Sequence, residues 1–309
     1  MTVAVQTPPH PAQAPATPPV PPAARPPRTA ARYLARGALL GLAVLLLGLT
    51  AHLVLLSGLE HRSAQQTGYD RLRADLAEGT APVAQTDPQG RLLAPGTPVA
   101  LLQIPALGLR QVVFEGTTSD VLTRGPGHRR DTPLPGQVGT SVLMGRQAAY
   151  GGPFGGLARL APGDRLVLTT GQGRHEYRVL GLRRAGDPSP PAPAAGRGRL
   201  VLVTAHGTPY LPEGVLRIDA DLVSPTADTP PAAIRPGSIP ADEQPMSGST
   251  GSLGQLVLWI QALAAASVAA VWAWHRWGRR QTWIVFLPVT AAVGFPVADQ
   301  VTRLLPNLL

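Results

Sequence analysis

Three long uncharged stretches divide the hydrophobic pattern of the chain. From Gly37 to Leu59 the run GALLGLAVLLLGLTAHLVLLSGL is dense in Leu, Val and Ala, over about the 20 residues a helix needs to cross a bilayer core. It is longer than the apolar region of a signal peptide and no Ala-x-Ala site follows it closely, so it predicts a retained transmembrane helix. Leu253 to Trp274, LGQLVLWIQALAAASVAAVWAW, is a second run of spanning length, with Trp259, Trp272 and Trp274 as interfacial anchors. Thr282 to Ala298, TWIVFLPVTAAVGFPVA, is shorter and carries Pro288 and Pro296. It predicts a kinked third span near the minimum length, with a re-entrant segment as the alternative. His52 lies inside the first span, where a neutral imidazole packed on a neighbouring helix is a simpler account than a proton relay.

Between the first two runs the period changes twice. Tyr69, Leu72 and Leu76 fall at helical spacing within GYDRLRADLAE, which predicts a helical stalk, followed by a turn-rich linker to residue 98. From Val99 the pattern becomes short β-like runs, VALLQIP, QVVFEG, TSVLMG, DRLVLTT, HEYRVLGL, RLVLVT and VLRIDADLV, separated by Gly/Pro turns. Seven short strands with no room for long helices predict a mostly β domain over residues 99–223, an antiparallel sheet or barrel. SDVLTRG and FGGLARL allow only one or two helical turns each. Residues 1–36 are Pro/Ala-rich, without an apolar period, and read as a disordered tail; residues 224–252 are rich in Pro, Ser and Gly and read as a flexible tether. The predicted order is tail 1–36, span 37–59, stalk and linker 60–98, β domain 99–223, linker 224–252, and spans 253–274 and 282–298.

Charge then orients this plan. The net charge of +9 would by itself raise nucleic acid as a partner. Its excess, however, sits at Arg25, Arg28, Arg32 and Arg36 before the first span and at Arg276, Arg279 and Arg280 between the second and third, while residues 60–252 are nearly balanced. A basic nucleic-acid face is therefore disfavoured. The positive-inside rule puts the tail and the HRWGRRQ loop in the cytoplasm and residues 60–252 outside. The chain contains no Cys, which removes disulfides, thiolate metal sites and a cysteine nucleophile. Glu115 and Asp120 are isolated acids, too few for a hard-cation cage, and no cofactor or metal is expected.

The ordered motifs carry more. LQIPALGL at Leu102 to Leu109, FEG at Phe114 to Gly116, GPGH at Gly125 to His128, LPGQVGTSVLMG at Leu134 to Gly145, YGGPFGGLARLAPGD at Tyr150 to Asp164, LVLVT at Leu200 to Thr204 and RIDADL at Arg217 to Leu222 occur in series. In this order the segment from Leu102 to Val223 resembles the catalytic domain of sortases, membrane-anchored cysteine transpeptidases of mainly Gram-positive bacteria. The resemblance implies a closed antiparallel β-barrel with short helices, outside the cell membrane. It also implies three catalytic positions, a His after the SVLMG strand, a Cys after the LVLVT strand and an Arg on the last strand. Here the His position is Arg146, the Cys position is Ala205, and the Arg is matched by Arg217.

These replacements remove chemistry. Ala205 offers only a methyl group and forms no acyl-enzyme, and an Arg at 146 stays protonated and cannot act as a base. The resemblance therefore points to a sortase-like pseudoenzyme of the cell envelope, whose partner is a sorting-signal peptide, another envelope protein or a catalytically intact sortase. Candidate ligand-binding residues are Arg217, whose fork of donors suits a peptide carbonyl or carboxylate, and Thr204, His206 and His128. An active hydrolase using a non-Cys nucleophile, with Thr204 served by His206 or His128, is one alternative; residue alternation on a strand puts Thr204 and His206 on the face opposite Ala205. A structural membrane protein with a passive β domain is another. Arg146 is bulkier than His, and pairing with Asp219 or Asp221 would close the old cleft.

Overall fold

In the β-like runs most alternate residues are apolar, and a closed sheet buries that set. The computed structural model, which describes Leu46, Gly48 and residues 57–248 and 253–309, shows the result. Strands β1 (Pro98–Ile104), β2 (Leu109–Glu115), β3 (Gly127–His128), β4 (Gly139–Met144), β5 (Arg165–Thr170), β6 (Gly173–Arg183), β7 (Gly198–Thr208) and β8 (Leu211–Leu222) close into a barrel of order β1-β2-β3-β4-β7-β8-β6-β5. Its interior is built from the inward set, including Leu102, Ile104, Leu143, Leu168, Tyr177, Leu200, Leu202 and Ile218.

All seven expected strands are present. The eighth, β3, has two residues, too few to show alternation. The barrel is mixed, not wholly antiparallel: β2 pairs with β3, and β4 with β7, in parallel. Parallel neighbours need a crossover connection, supplied by the short helix α2 (Ser119–Arg124) for the first pair and by the β5–β6 hairpin for the second. Thr118 caps α2 by accepting from the Val121 N–H.

The expected stalk is longer and docked. Helix α1 (Ser57–Glu78) lies on the barrel, with Leu72 packed in a cluster with Val112, Phe114 and Val121. Gln65 fixes the register by accepting from the Val112 N–H at 2.7 Å and donating to the Val112 and Arg124 carbonyls. Residues 1–36 and most of the first apolar run, His52 included, lie outside the described residues.

Residues 224–248 do not hang free as their composition suggested. Lacking a sheet of their own, their backbone groups are taken up by side chains of the domain. Gln85 Oε1 accepts from the Ala233 and Ile234 N–H groups, Asp131 from Gly237, and Thr117 donates to the Glu243 carbonyl. Two long helices follow, α3 (Leu253–Trp277) and α4 (Arg279–Leu304), joined at Gly278, whose φ of 93° makes the reversal. Leu253–Trp274 and Arg279–Thr302 are long and apolar enough to cross a membrane. Val268 and Ile284 are 70% and 73% exposed, which a helix pair in the core of a water-soluble protein would not show. The third apolar run is thus part of a continuous helix with Pro288 and Pro296 inside it.

Candidate functional site

The outer face of β7 carries Val201, Val203 and Ala205, the alternates of the interior set Leu200 and Leu202. The parallel register of β4 places Val142 and Met144 beside Val201 and Val203, and the antiparallel register of β8 places Arg217 opposite Val203 and Val215 opposite Ala205. The β4–β7 ladder continues one residue further through the Gly145 N–H and the Val203 carbonyl. That extension sets the next residue, Arg146, at the Ala205 end of β7. The registers therefore bring Arg146, Ala205 and Arg217 to one stretch of the barrel's outer face, the position of the expected cleft, although they lie up to 71 residues apart in sequence.

Arg146 is 1% exposed, and a guanidinium so deep must find acceptors. Nη2 donates to the Ser119 carbonyl at 3.1 Å and to Ser119 Oγ at 2.8 Å, Nη1 donates to the Leu309 carbonyl at 3.3 Å, and the group lies 5.0 Å from the Tyr150 ring centroid. Asp219 is held by Arg183, and Asp221 by Arg199 at 2.7 Å. Closure of the cleft comes from elsewhere. Leu308 and Leu309 are 0% and 2% exposed and share one apolar cluster with Leu122, Met144, Val203 and Ala205. Burying a leucine stabilises by about 1.5–3 kcal/mol. The one trace of this in the sequence is a leucine-rich RLLPNLL segment beyond the third apolar run, which neither charge nor period connects to the β domain.

Arg217 is half-buried and, among the described residues, its side chain makes no hydrogen bond or ion pair. Burial and then the neighbouring Arg183 guanidinium hold its pKa below the usual arginine value, with Asp219 opposing them in part. A cavity of about 250 Å³ lies over β6, lined by Leu180, Leu182, Arg183, Pro188 and Asp219 but not by Arg217. The unpaired donors of Arg217 suit a carbonyl or carboxylate oxygen.

The remaining candidates do not join this cleft. Thr204 is buried on the opposite face of β7 from Ala205, its Oγ1 without a hydrogen-bond partner, so no base activates it. His206 is half-buried, next to a bulge at Gly207. His128 pairs with Leu143, a residue of the barrel interior, and is wholly buried. Its Nδ1 lies 2.8 Å from Glu115 Oε2 and its Nε2 3.0 Å from the Pro133 carbonyl. Burial opposes its charged form, but the Glu115 carboxylate and the hydrogen bonds outweigh that and raise its pKa. Glu115, isolated in sequence, is thus the partner of a structural His128. Among the described residues no cluster of three or more His, Cys, Asp or Glu could hold a metal ion.

Residues 102–218 match the family described as Sortase domain. Over 85 residues the chain is 31% identical to sortase D of Bacillus subtilis, an alignment covering 28% of this chain and 41% of that relative. Among solved structures, a sortase D5 transpeptidase of Clostridium perfringens aligns with a TM-score of 0.43 at 20% identity, over 52% of this chain and 99% of the other. Sortase E1 of Streptomyces coelicolor, solved with a tripeptide in its active site, aligns with a TM-score of 0.37 at 20% identity, over 42% and 90%. The family match runs from β1 to β8, the strands that close the barrel and form the cleft, and through that domain the chain is a sortase-family protein.

Proposed function

We propose that this chain is a membrane-anchored sortase-family pseudoenzyme that binds an extended peptide or protein partner at the cell envelope without cleaving it. The observation that carries the reading is the pairing of Ala205 with a buried Arg146 whose guanidinium is bonded to Ser119 and Leu309, at the positions where family members place Cys and His. A methyl group supplies no nucleophile, and a guanidinium committed to carbonyl oxygens supplies no base. What the site retains is recognition chemistry: an apolar floor of Val203, Ala205 and Met144 and the unpaired side chain of Arg217.

Topology supports an outward-facing domain. Helices α3 and α4 form a hairpin whose turn carries Arg276, Arg279 and Arg280, the side that positive charge retains in the cytoplasm. Residues on both sides of the hairpin touch each other and the barrel: the Asn307 N–H donates to the Ser247 carbonyl at 2.8 Å, and the Asn307 side chain donates to the Thr117 carbonyl at 3.0 Å. Both ends of the hairpin meet one domain, which favours a full crossing by α4 over a re-entrant segment. The test is incubation of the purified full chain in detergent with sorting-signal peptides and an amine acceptor. Binding without product formation is expected, and turnover above a protein-free control overturns the reading.

A further inference from the structure

We infer that the site beside Ala205 is a peptide-binding groove held shut by the chain's own residues 305–309, and that it accepts a Leu-Pro-Asn-Leu-Leu type peptide, turned as that segment is turned, when they withdraw. This rests on the non-cleaving binding role proposed above and names its ligand. Helix α4 ends at Leu304, Leu305 is extended (φ −65°, ψ 153°), and Pro306 cannot continue the helix. The chain then enters the cleft.

The contacts are those of recognition, not of collapse. The Gln147 N–H donates to the Leu308 carbonyl at 2.8 Å, Arg146 donates to the Leu309 main-chain oxygen, the Asn307 N–H donates to Ser247, and the Leu309 N–H closes a turn on the Pro306 carbonyl at 3.1 Å. Asn307 is 0% exposed and donates from Nδ2 to the Thr117 and Gln244 carbonyls, each at 3.0 Å. Backbone bonds hold the turned segment, while Asn307 and the two leucine positions read its sequence, the same division between main-chain bonding and side-chain pockets by which peptide grooves combine affinity with specificity. Arg146, useless as a base, has a role here: it bridges Ser119 to Leu309 and closes the groove over its occupant.

The groove is coupled to the membrane helix. Tyr150, on the loop that follows Arg146, hydrogen-bonds Thr302 of α4 at 3.0 Å, three residues before the segment begins. A tethered ligand has a high effective concentration, so a peptide in solution competes only after α4 and residues 305–309 move away together.

The chain has no cysteine, so Ala205→Cys places a single thiol at a site that is 2% exposed. In the full chain in detergent, maleimide labelling of that thiol should be slow. Adding Leu308→Ser and Leu309→Ser should speed it by about tenfold or more, since labelling follows the open population, and a synthetic Leu-Pro-Asn-Leu-Leu peptide should slow it again. Equal rates with and without the serine substitutions overturn the plug; fast labelling that the peptide does not slow overturns the groove. If the double substitution abolishes the cooperative thermal transition, Asn307→Ala, which keeps both leucines, takes its place with the same expectations. Turnover by the parent chain would sink the non-cleaving role and leave these labelling results standing, whereas a failed peptide protection would leave that role intact.

Discussion

The Arg146 guanidinium reaches the main-chain oxygen of Leu309 across 163 positions of sequence, and the same guanidinium holds both oxygens of Ser119. Arg146→Ala leaves buried acceptors unpaired and a cavity behind them, a loss of about 2–5 kcal/mol. Arg146→His is too short to reach Ser119 and Leu309 together and should cost a similar amount. Thermal unfolding of the full chain in detergent checks this, and a midpoint unchanged in both variants contradicts the bridging role.

Helix α1 depends on one close approach. A Cβ at Gly68 would stand 2.7 Å from Phe114 Cζ, so Gly68→Ala should lower stability by about 1–3 kcal/mol through overpacking and expose α1 to protease. Gly58, in the same helix, has open space where a Cβ would sit, with nothing within 4 Å, so Gly58→Ala should stabilise by about 0.5–1 kcal/mol. The opposite signs at two helical glycines separate packing from backbone entropy.

The buried His128–Glu115 pair makes stability pH-dependent. The folded pKa of His128 is raised above the value of about 6.5 it has in an unfolded chain. The pair's contribution is therefore full below about pH 6.5 and is lost as pH rises through the folded value. His61 and His175, lowered mainly by burial, act in the opposite sense and favour the fold above about pH 6.5. Comparison with Glu115→Gln isolates the pair: the native midpoint should fall relative to the variant as pH rises. A constant difference contradicts the assignment.

Arg217 predicts a binding effect without a folding effect. It lacks a partner among the described residues, so Arg217→Ala should leave stability within about 0.5 kcal/mol. In the groove opened by Leu308→Ser and Leu309→Ser, it should weaken binding of a carboxylate-bearing peptide by about tenfold, the worth of one charge-assisted hydrogen bond. Equilibrium titration with a fluorescent peptide measures it, and unchanged affinity would remove Arg217 from the site.

Much of this fold was legible because apolar alternation and turn chemistry report on it directly. The seven longer strands, α2 and the two described apolar helices followed from pattern alone. β3 escaped because two residues carry no period, and the parallel pairings escaped because register is set by crossovers, not by any one strand. The linker was misread for a physical reason. Pro, Ser and Gly predict no secondary structure, yet residues such as Gln85, Asp131 and Thr117, distant in sequence, hold that backbone in place. At the site, the series of motifs marked Arg146, Ala205 and Arg217, which the registers of β4, β7 and β8 place near one another on the barrel's outer face. Leu308 and Leu309 could not be marked, since a leucine pair after an apolar helix reads as more of that helix.

The most direct measurement compares peptide turnover by two full-length chains in detergent, both opened by Leu308→Ser and Leu309→Ser. One keeps Arg146 and Ala205; the other carries Arg146→His and Ala205→Cys. The account predicts that the first binds sorting-signal peptides without product and that the second, with a thiol and an imidazole restored beside Arg217, releases product. Turnover by the chain that keeps Arg146 and Ala205 would contradict it.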